Sequence, residues 1–321
     1  MTRTLTESDM LAMQARGREQ IEAANVWSEA AREQSALVRH ERMMEAQHDS
    51  VAKKWKLKSG EDLPAHSPKN IPPAWKNVKV NPDPNGKVQA SGEDAKGRTQ
   101  TMYHKDFTAQ QAAEKFSRNQ ELISKADKIK AQNEGNLSHE NPTVRENAAV
   151  MKLIHHTGIR PGSETDTGGE KQAYGATTLQ GRHVVQDKEG NVSLQFVGKK
   201  GVDLNIPVED KGVAKMLLDR KAVAGDTGKL FKTSDSSLRD YTHTLDGGSF
   251  KPKDFRTLKG TQTALDEVKN MPAPKTMKDY KKSVMAVAKK VAAKLGNTPT
   301  VSLQSYISPF VFKDWRASAG I

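Results

Sequence analysis

Apolar residues recur every three to four positions over most of this chain and alternate with polar ones over only a few short stretches. That pattern predicts an α+β protein, mostly helical, with two small β regions. In residues 1–57 Met10, Met13, Ile21, Ala24, Trp27, Ala31 and Val38 give a loose helical stripe, and Thr6 with Asp9 resembles a capping box. We read this stretch as a helical N-terminal arm. A linker rich in Pro, Ser and Lys follows to about residue 70. IPPAWKNVKV (71–80) then reads as a strand closed by the turn signal NPDPNG, and 87–104 as further strand and basic loop. Residues 108–132 read as a helix closed by NEGN. These elements make a small mixed domain over 58–136.

A second domain, 137–321, opens at Asn141-Pro142, an N-cap followed by a favoured first helical residue, and its first helix stops at Gly158. Three runs of period-two alternation follow, at 177–185, 192–196 and 202–206, with turns at QDKEGN and GKKG. They predict a three-stranded antiparallel meander with Lys199 and Lys200 at a hairpin tip. Beyond it the period is helical to the end. Residues 277–295 make the strongest amphipathic segment, apolar at Tyr280, Val284, Val287, Val291 and Leu295, and basic at Lys278, Lys281, Lys282, Lys289, Lys290 and Lys294.

Charge changes the picture from architecture to partner. The 321 residues carry a net charge of +12. Residues 1–57 are balanced at nine basic and nine acidic residues, so the whole surplus lies downstream. Residues 251–294 are the densest part, with twelve Lys and Arg against four Asp and Glu. Such a surface suits a polyanion, most commonly nucleic acid. Cysteine is absent, which excludes disulfides, thiolate metal sites and cysteine nucleophiles. No apolar run approaches the length of a membrane span and the N-terminus is no secretory signal, so an intracellular, nucleoid-associated protein is expected.

The candidate chemistry centres on Tyr306. A phenol is a weak nucleophile at neutral pH, with a reference pKa of about 10. It can attack phosphorus where cations hold the charge growing on the phosphate oxygens. Arg160, Lys199, Arg256 and Asn297 stand at element boundaries, where side chains can converge on a cleft. Guanidinium forks suit phosphate oxygens, and a lysine can protonate a departing oxygen. Lys96, Arg98, Tyr103, His104, Lys200 and Lys253 are further candidates for DNA contact.

The local contexts of these residues carry a resemblance. IRPGSE (159–164), YGATTLQGRHV (174–184), FVGKKG (196–201), KDFRTLKGT (253–261) and LGNTPTVSLQSYISP (295–309) resemble, in order, the catalytic motifs of type IB DNA topoisomerases, in particular the bacterial and poxvirus-like branch. IPPAWKNV (71–78) and QASGEDAKGRTQTMYH (89–104) resemble the small domain with which that family closes over DNA. The resemblance spans roughly residues 71–312. It implies a tyrosine-recombinase-like catalytic fold and relaxation of supercoiled double-stranded DNA through a 3′-phosphotyrosyl link, without ATP, metal or other cofactor. It also implies a monomer that surrounds the duplex.

Residue by residue, the resemblance implies that Tyr306 attacks, Arg160 and Arg256 clamp the phosphate, Lys199 protonates the leaving oxygen, and Asn297 donates to a non-bridging oxygen. Many relatives have His at that last position; an amide can stabilise charge there but cannot exchange protons. The chain departs from the family ahead of IPPAW, where the helical arm, a candidate surface for a protein partner, and the linker replace the relatives' extra strands. Two alternatives are a tyrosine recombinase or integrase and a non-catalytic basic DNA-binding protein. Recombinases usually place His three residues before the second arginine, and here that residue is Lys253.

Overall fold

The computed structural model describes residues 43–164, 171–247 and 250–320. The chain divides into two compact units, Met1–Ser117 and Arg118–Ile321.

The first unit holds a five-stranded antiparallel sheet in the order β2-β1-β3-β4-β5, formed by Met44–Asp49, Lys54–Leu57, Lys76–Val80, Val88–Glu93 and Thr99–Tyr103. Strands β1 and β2 correct the helical arm expected over 1–57. Met44 and Ala46 on one strand and Trp55 and Leu57 on the other pack on a small core of Ile71, Val78, Val80 and Ala90. Asp49 folds the turn between them, its Oδ1 accepting from the backbone N–H groups of Val51 and Ala52 at 3.0 and 2.9 Å. The chain therefore does place strands ahead of IPPAW, and the departure inferred there disappears. The rest of the arm, residues 1–42, lies outside the described residues.

Helix α1, Lys105–Asn136, crosses the boundary between the units. Its C-terminal part buries Asn119, Leu122, Ile129 and Asn133. Leu122 and Ile129 join the core of the second unit. The domain boundary thus falls at 117/118 and not at 136/137, because these side chains commit the second half of the helix to that core.

In the second unit α2, Pro142–Thr157, is capped as its sequence predicts. Asn141 accepts from the Thr143 N–H, and Gly158 ends the helix in the left-handed region at φ 67°. The meander is shorter than expected. Residues 177–185 form two 3-10 turns, Ala176–Thr178 and Gly181–His183, before β6, Val184–Gln186. The apolar positions read as one strand are buried from successive turns instead. Strands β7, Val192–Gly198, and β8, Val202–Val208, pair in register from Val192↔Val208 to Gly198↔Val202.

The remaining helices are α3, Lys211–Ala224, α4, Asp235–Thr244, α5, Pro252–Lys269, α6, Met277–Leu295, α7, Pro299–Ser305, and α8, Lys313–Ser318. A large core joins α2, the meander and α3–α5. A second apolar cluster, including Ala264, Val287, Val291, Leu295, Tyr306, Ile307, Phe312 and Trp315, ties α5 and α6 to the C-terminal segment. Among the described residues, no helix is long and apolar enough to cross a membrane.

Candidate active site

Arg256 is the point from which the site is built. It lies in the first turns of α5 and is 2% exposed, so its charge must be matched by polar groups close at hand. Its guanidinium donates from Nη1 to the carbonyl of Gly158 and from Nη2 to that of Leu295 at 2.5 Å. These buried carbonyls stand at the C-terminal ends of α2 and α6, where C=O groups left without a helical partner and the helix dipole favour a cation. Gly158 stands two residues before Arg160 and Leu295 two before Asn297. One side chain therefore pins both helix ends from which the other candidate residues emerge. Its Nε is buried with no hydrogen-bond partner among the described residues.

Tyr306 caps α7 and lies against this guanidinium, whose central carbon is 4.8 Å from the ring centroid. Burial pushes the phenol's pKa up, but Arg256, joined by Arg160 and Lys253, outweighs it and leaves the pKa below the usual phenol value. Burial and the neighbouring Arg160 in turn bring Arg256 down to about 10, partly offset by Tyr306. Arg256 is therefore still cationic at neutral pH.

The tyrosine's backbone is held from α5. Thr261 Oγ1 donates to the Tyr306 carbonyl at 3.2 Å and accepts from Ser308 N at 3.3 Å and Asn119 Nδ2 at 3.0 Å. Beside it, Gly260 lets the two segments touch. A Cβ there would fall 2.7 Å from the Tyr306 carbonyl oxygen. Asn297 follows the left-handed cap Gly296, and its Oδ1 accepts from Ser302 Oγ at 2.6 Å. Its Nδ2 is buried without a hydrogen-bond partner among the described residues.

Arg160 is fixed through its backbone, since its carbonyl accepts from Ala176 N at 2.8 Å, while Tyr174 N donates to Val197 O on β7 at 2.8 Å. This ties the Arg160 loop to the β7–β8 hairpin. On its other side β8 faces the end of α6 across a groove of about 400 Å³ lined by Val202, Leu204, Ala293, Gly296 and Asn297. Lys199 occupies the hairpin turn, exposed. The fold thus brings Arg160 and Arg256 to Tyr306, holds Asn297 two residues beyond the Leu295 carbonyl that Arg256 binds, and leaves Lys199 exposed on the hairpin turn.

Residues 104–309 match the family described as eukaryotic DNA topoisomerase I, catalytic core, and 70–94 match bacterial DNA topoisomerase IB, N-terminal domain. DNA topoisomerase 1B of Acanthamoeba polyphaga mimivirus is 30% identical over 264 residues, 76% of each chain. The chain belongs to the type IB DNA topoisomerase family. DNA topoisomerase 1 of Schizosaccharomyces pombe is 30% identical over 171 residues, covering 51% of this chain and 20% of the yeast protein. Membership makes this a DNA-binding isomerase, and the first match spans all five candidate residues of the catalytic unit.

The outlying DNA-contact candidates of this topoisomerase are scattered. Lys96 and Arg98 sit at the β4–β5 turn, where Arg98 pairs with Asp94 at 2.7 Å. Tyr103 is half-exposed against Phe107 at 5.2 Å, and His104 faces Asp106 at 3.7 Å. Lys253 is exposed in the first turn of α5, close enough to act on the Tyr306 phenol. The side chain of Lys200 lies outside the described positions. On α6, Lys278, Lys281, Lys282, Lys289 and Lys290 are all exposed, and no ion pair engages them among the described residues. Sequence reasoning missed Thr261, Gly260, Ser302 and Asn119. Gly260 alone carried a signal, as a glycine inside a helix, where it normally weakens the element.

Proposed function

We propose that the enzyme relaxes supercoiled duplex DNA by nicking and resealing one strand through Tyr306. The phenolate oxygen attacks a phosphodiester phosphorus, forming a 3′-phosphotyrosyl bond, and the bond to the 5′ oxygen breaks. The phenol proton passes to water, since no carboxylate or imidazole hydrogen-bonds the hydroxyl among the described residues. Lys199 swings from the hairpin to give a proton to the departing oxygen, leaving a 5′-hydroxyl. Arg160 holds the non-bridging oxygens bidentately, Arg256 adds charge and its free Nε–H, and Asn297 donates through Nδ2. The strand rotates, and the 5′-hydroxyl attacks the phosphotyrosine, returning the proton to Lys199.

The phosphotyrosine conserves the energy of the broken ester, so the cycle draws on neither ATP nor metal. One chain suffices for this chemistry, so the working form is a monomer. The observation that carries the reading is the Arg256 guanidinium 4.8 Å from the Tyr306 ring, with further cations lowering the phenol's pKa. The test is denaturant trapping on supercoiled plasmid. Wild type should yield protein-linked nicked DNA and Tyr306→Phe none; equal yields from the two would end the tyrosine-nucleophile reading.

A further inference from the structure

The structure assigns Ser302 as a positioning residue that holds the Asn297 amide with its NH₂ toward the phosphate. The inference rests on the reading of Asn297 as a phosphate donor and adds what makes that donor effective. Ser302 is 0% exposed and lies in α7, four residues before Tyr306. Its hydroxyl donates to Asn297 Oδ1 at 2.6 Å, the shortest hydrogen bond that Asn297 makes. With Oδ1 thus engaged, Nδ2 is left buried and unpartnered. An unsatisfied buried N–H is unfavourable in a resting protein, and here it is a donor already stripped of water and waiting for an acceptor.

The backbone of the same serine holds the nucleophile. Its carbonyl accepts from Tyr306 N at 2.9 Å and Ile307 N at 3.0 Å. Ser302 therefore fixes the charge-stabilising donor with its side chain and the attacking residue with its main chain, and so sets their separation. The need is specific to an amide at position 297. The ends of an amide differ in sign, and a half-turn about χ2 would aim Oδ1 at the phosphate and repel it.

The experiment is single-turnover cleavage of a duplex by wild type, Ser302→Ala, Asn297→Ala and the double variant, with each non-bridging oxygen at the scissile phosphate replaced in turn by sulfur. Asn297→Ala should slow cleavage by on the order of 10²-fold. Ser302→Ala should slow it by about tenfold, with DNA affinity unchanged and the melting temperature lowered by only a few degrees. In the Asn297→Ala background Ser302→Ala should cost nothing more. The rate difference between the two sulfur isomers should shrink in Ser302→Ala toward its value in Asn297→Ala. A wild-type rate in Ser302→Ala beside a slow Asn297→Ala would overturn the role of Ser302 and leave Asn297 in place. An undiminished further loss in the double variant would overturn it equally, as a merely structural effect. A silent Asn297→Ala would remove the donor reading itself, and this inference with it.

Discussion

Gly260→Ala should separate the stability of this protein from its chemistry. Gly260 is inside α5, so alanine there lowers the unfolded chain's freedom and favours the helix by up to about 1 kcal/mol. The added Cβ would however stand 2.7 Å from the Tyr306 carbonyl oxygen, 3.0 Å from Tyr306 Cβ and 3.1 Å from Leu295 Cδ1. Ordinary contact begins near 3.4 Å, so the Tyr306 backbone must retreat by about 0.7 Å. Overpacking of this kind costs roughly 1–3 kcal/mol, which the helix gain partly offsets. Net destabilisation should therefore be no more than about 2 kcal/mol.

The phenol, carried on that backbone, moves with it, and displacements approaching 1 Å cost on the order of 10²-fold in rate. Cleavage by Gly260→Ala should accordingly fall between ten- and a hundredfold, roughly, while the melting temperature drops by only a few degrees. The assay is single-turnover cleavage of a duplex whose cut fragment dissociates, run beside thermal unfolding and DNA binding on the same preparation. A cleavage rate within about twofold of wild type would refute the claim that this contact sets the position of the nucleophile.

Three further outcomes follow from the same geometry. Asn297→His should give the cleavage rate an inflection at or below about pH 6.5 that the wild-type amide lacks, because the imidazole titrates beside Arg160 and Arg256; identical pH–rate profiles would contradict it. His155 packs on Phe255 at 4.9 Å, and burial foremost, with nearby cations, brings its pKa down to about 4. The unfolded chain then binds a proton that the native one refuses as pH falls from 6.5 toward 4, so stability must fall over that window. His155→Phe should recover about 2 kcal/mol at pH 5 relative to pH 7, measured by denaturant unfolding at both. Replacing Lys278, Lys282 and Lys289 together by Ala should flatten the salt dependence of DNA binding by up to about three counterions while leaving single-turnover cleavage at saturation unchanged; an unchanged slope would remove α6 from the DNA path.

Much of the catalytic unit is readable in the chain because its signals are local. Asn141, Pro142 and Gly158 mark the ends of α2 without help from anything distant. The amphipathic period of 277–295 coincides with α6 because one face is buried and the other is lysine. The misreadings occur where tertiary contact overrides local pattern. Only Ala46 is buried along β1, so its alternation is too weak to compete with the helix-forming residues before it. The buried Ala176, Thr177 and Leu179 continue the pattern of β6 although a tight turn presents them. Helix α1 changes from one unit to the other with no break in composition. The candidate site divides the same way. The five residues named for chemistry carry recognisable motifs. The hydroxyls of Thr261 and Ser302 reach segments 45 and five residues away, and no spacing announces the first.

The two carbonyls held by Arg256 bear on how any mutational study of this enzyme is to be interpreted. Substituting that arginine removes a charge from beside Tyr306 and, in the same stroke, releases the ends of α2 and α6. Lost activity then mixes electrostatics with geometry in unknown proportion, and lysine, which lacks the planar fork, inherits the same ambiguity. Canavanine at position 256, installed by semisynthesis or codon expansion, keeps the planar fork, and its more readily formed neutral state, –O–N=C(NH₂)₂, retains both terminal NH₂ donors to the carbonyls while discarding the charge. The difference between neutral canavanine and wild type isolates the electrostatic share, the Nε–H included, and that between alanine and neutral canavanine measures the latch.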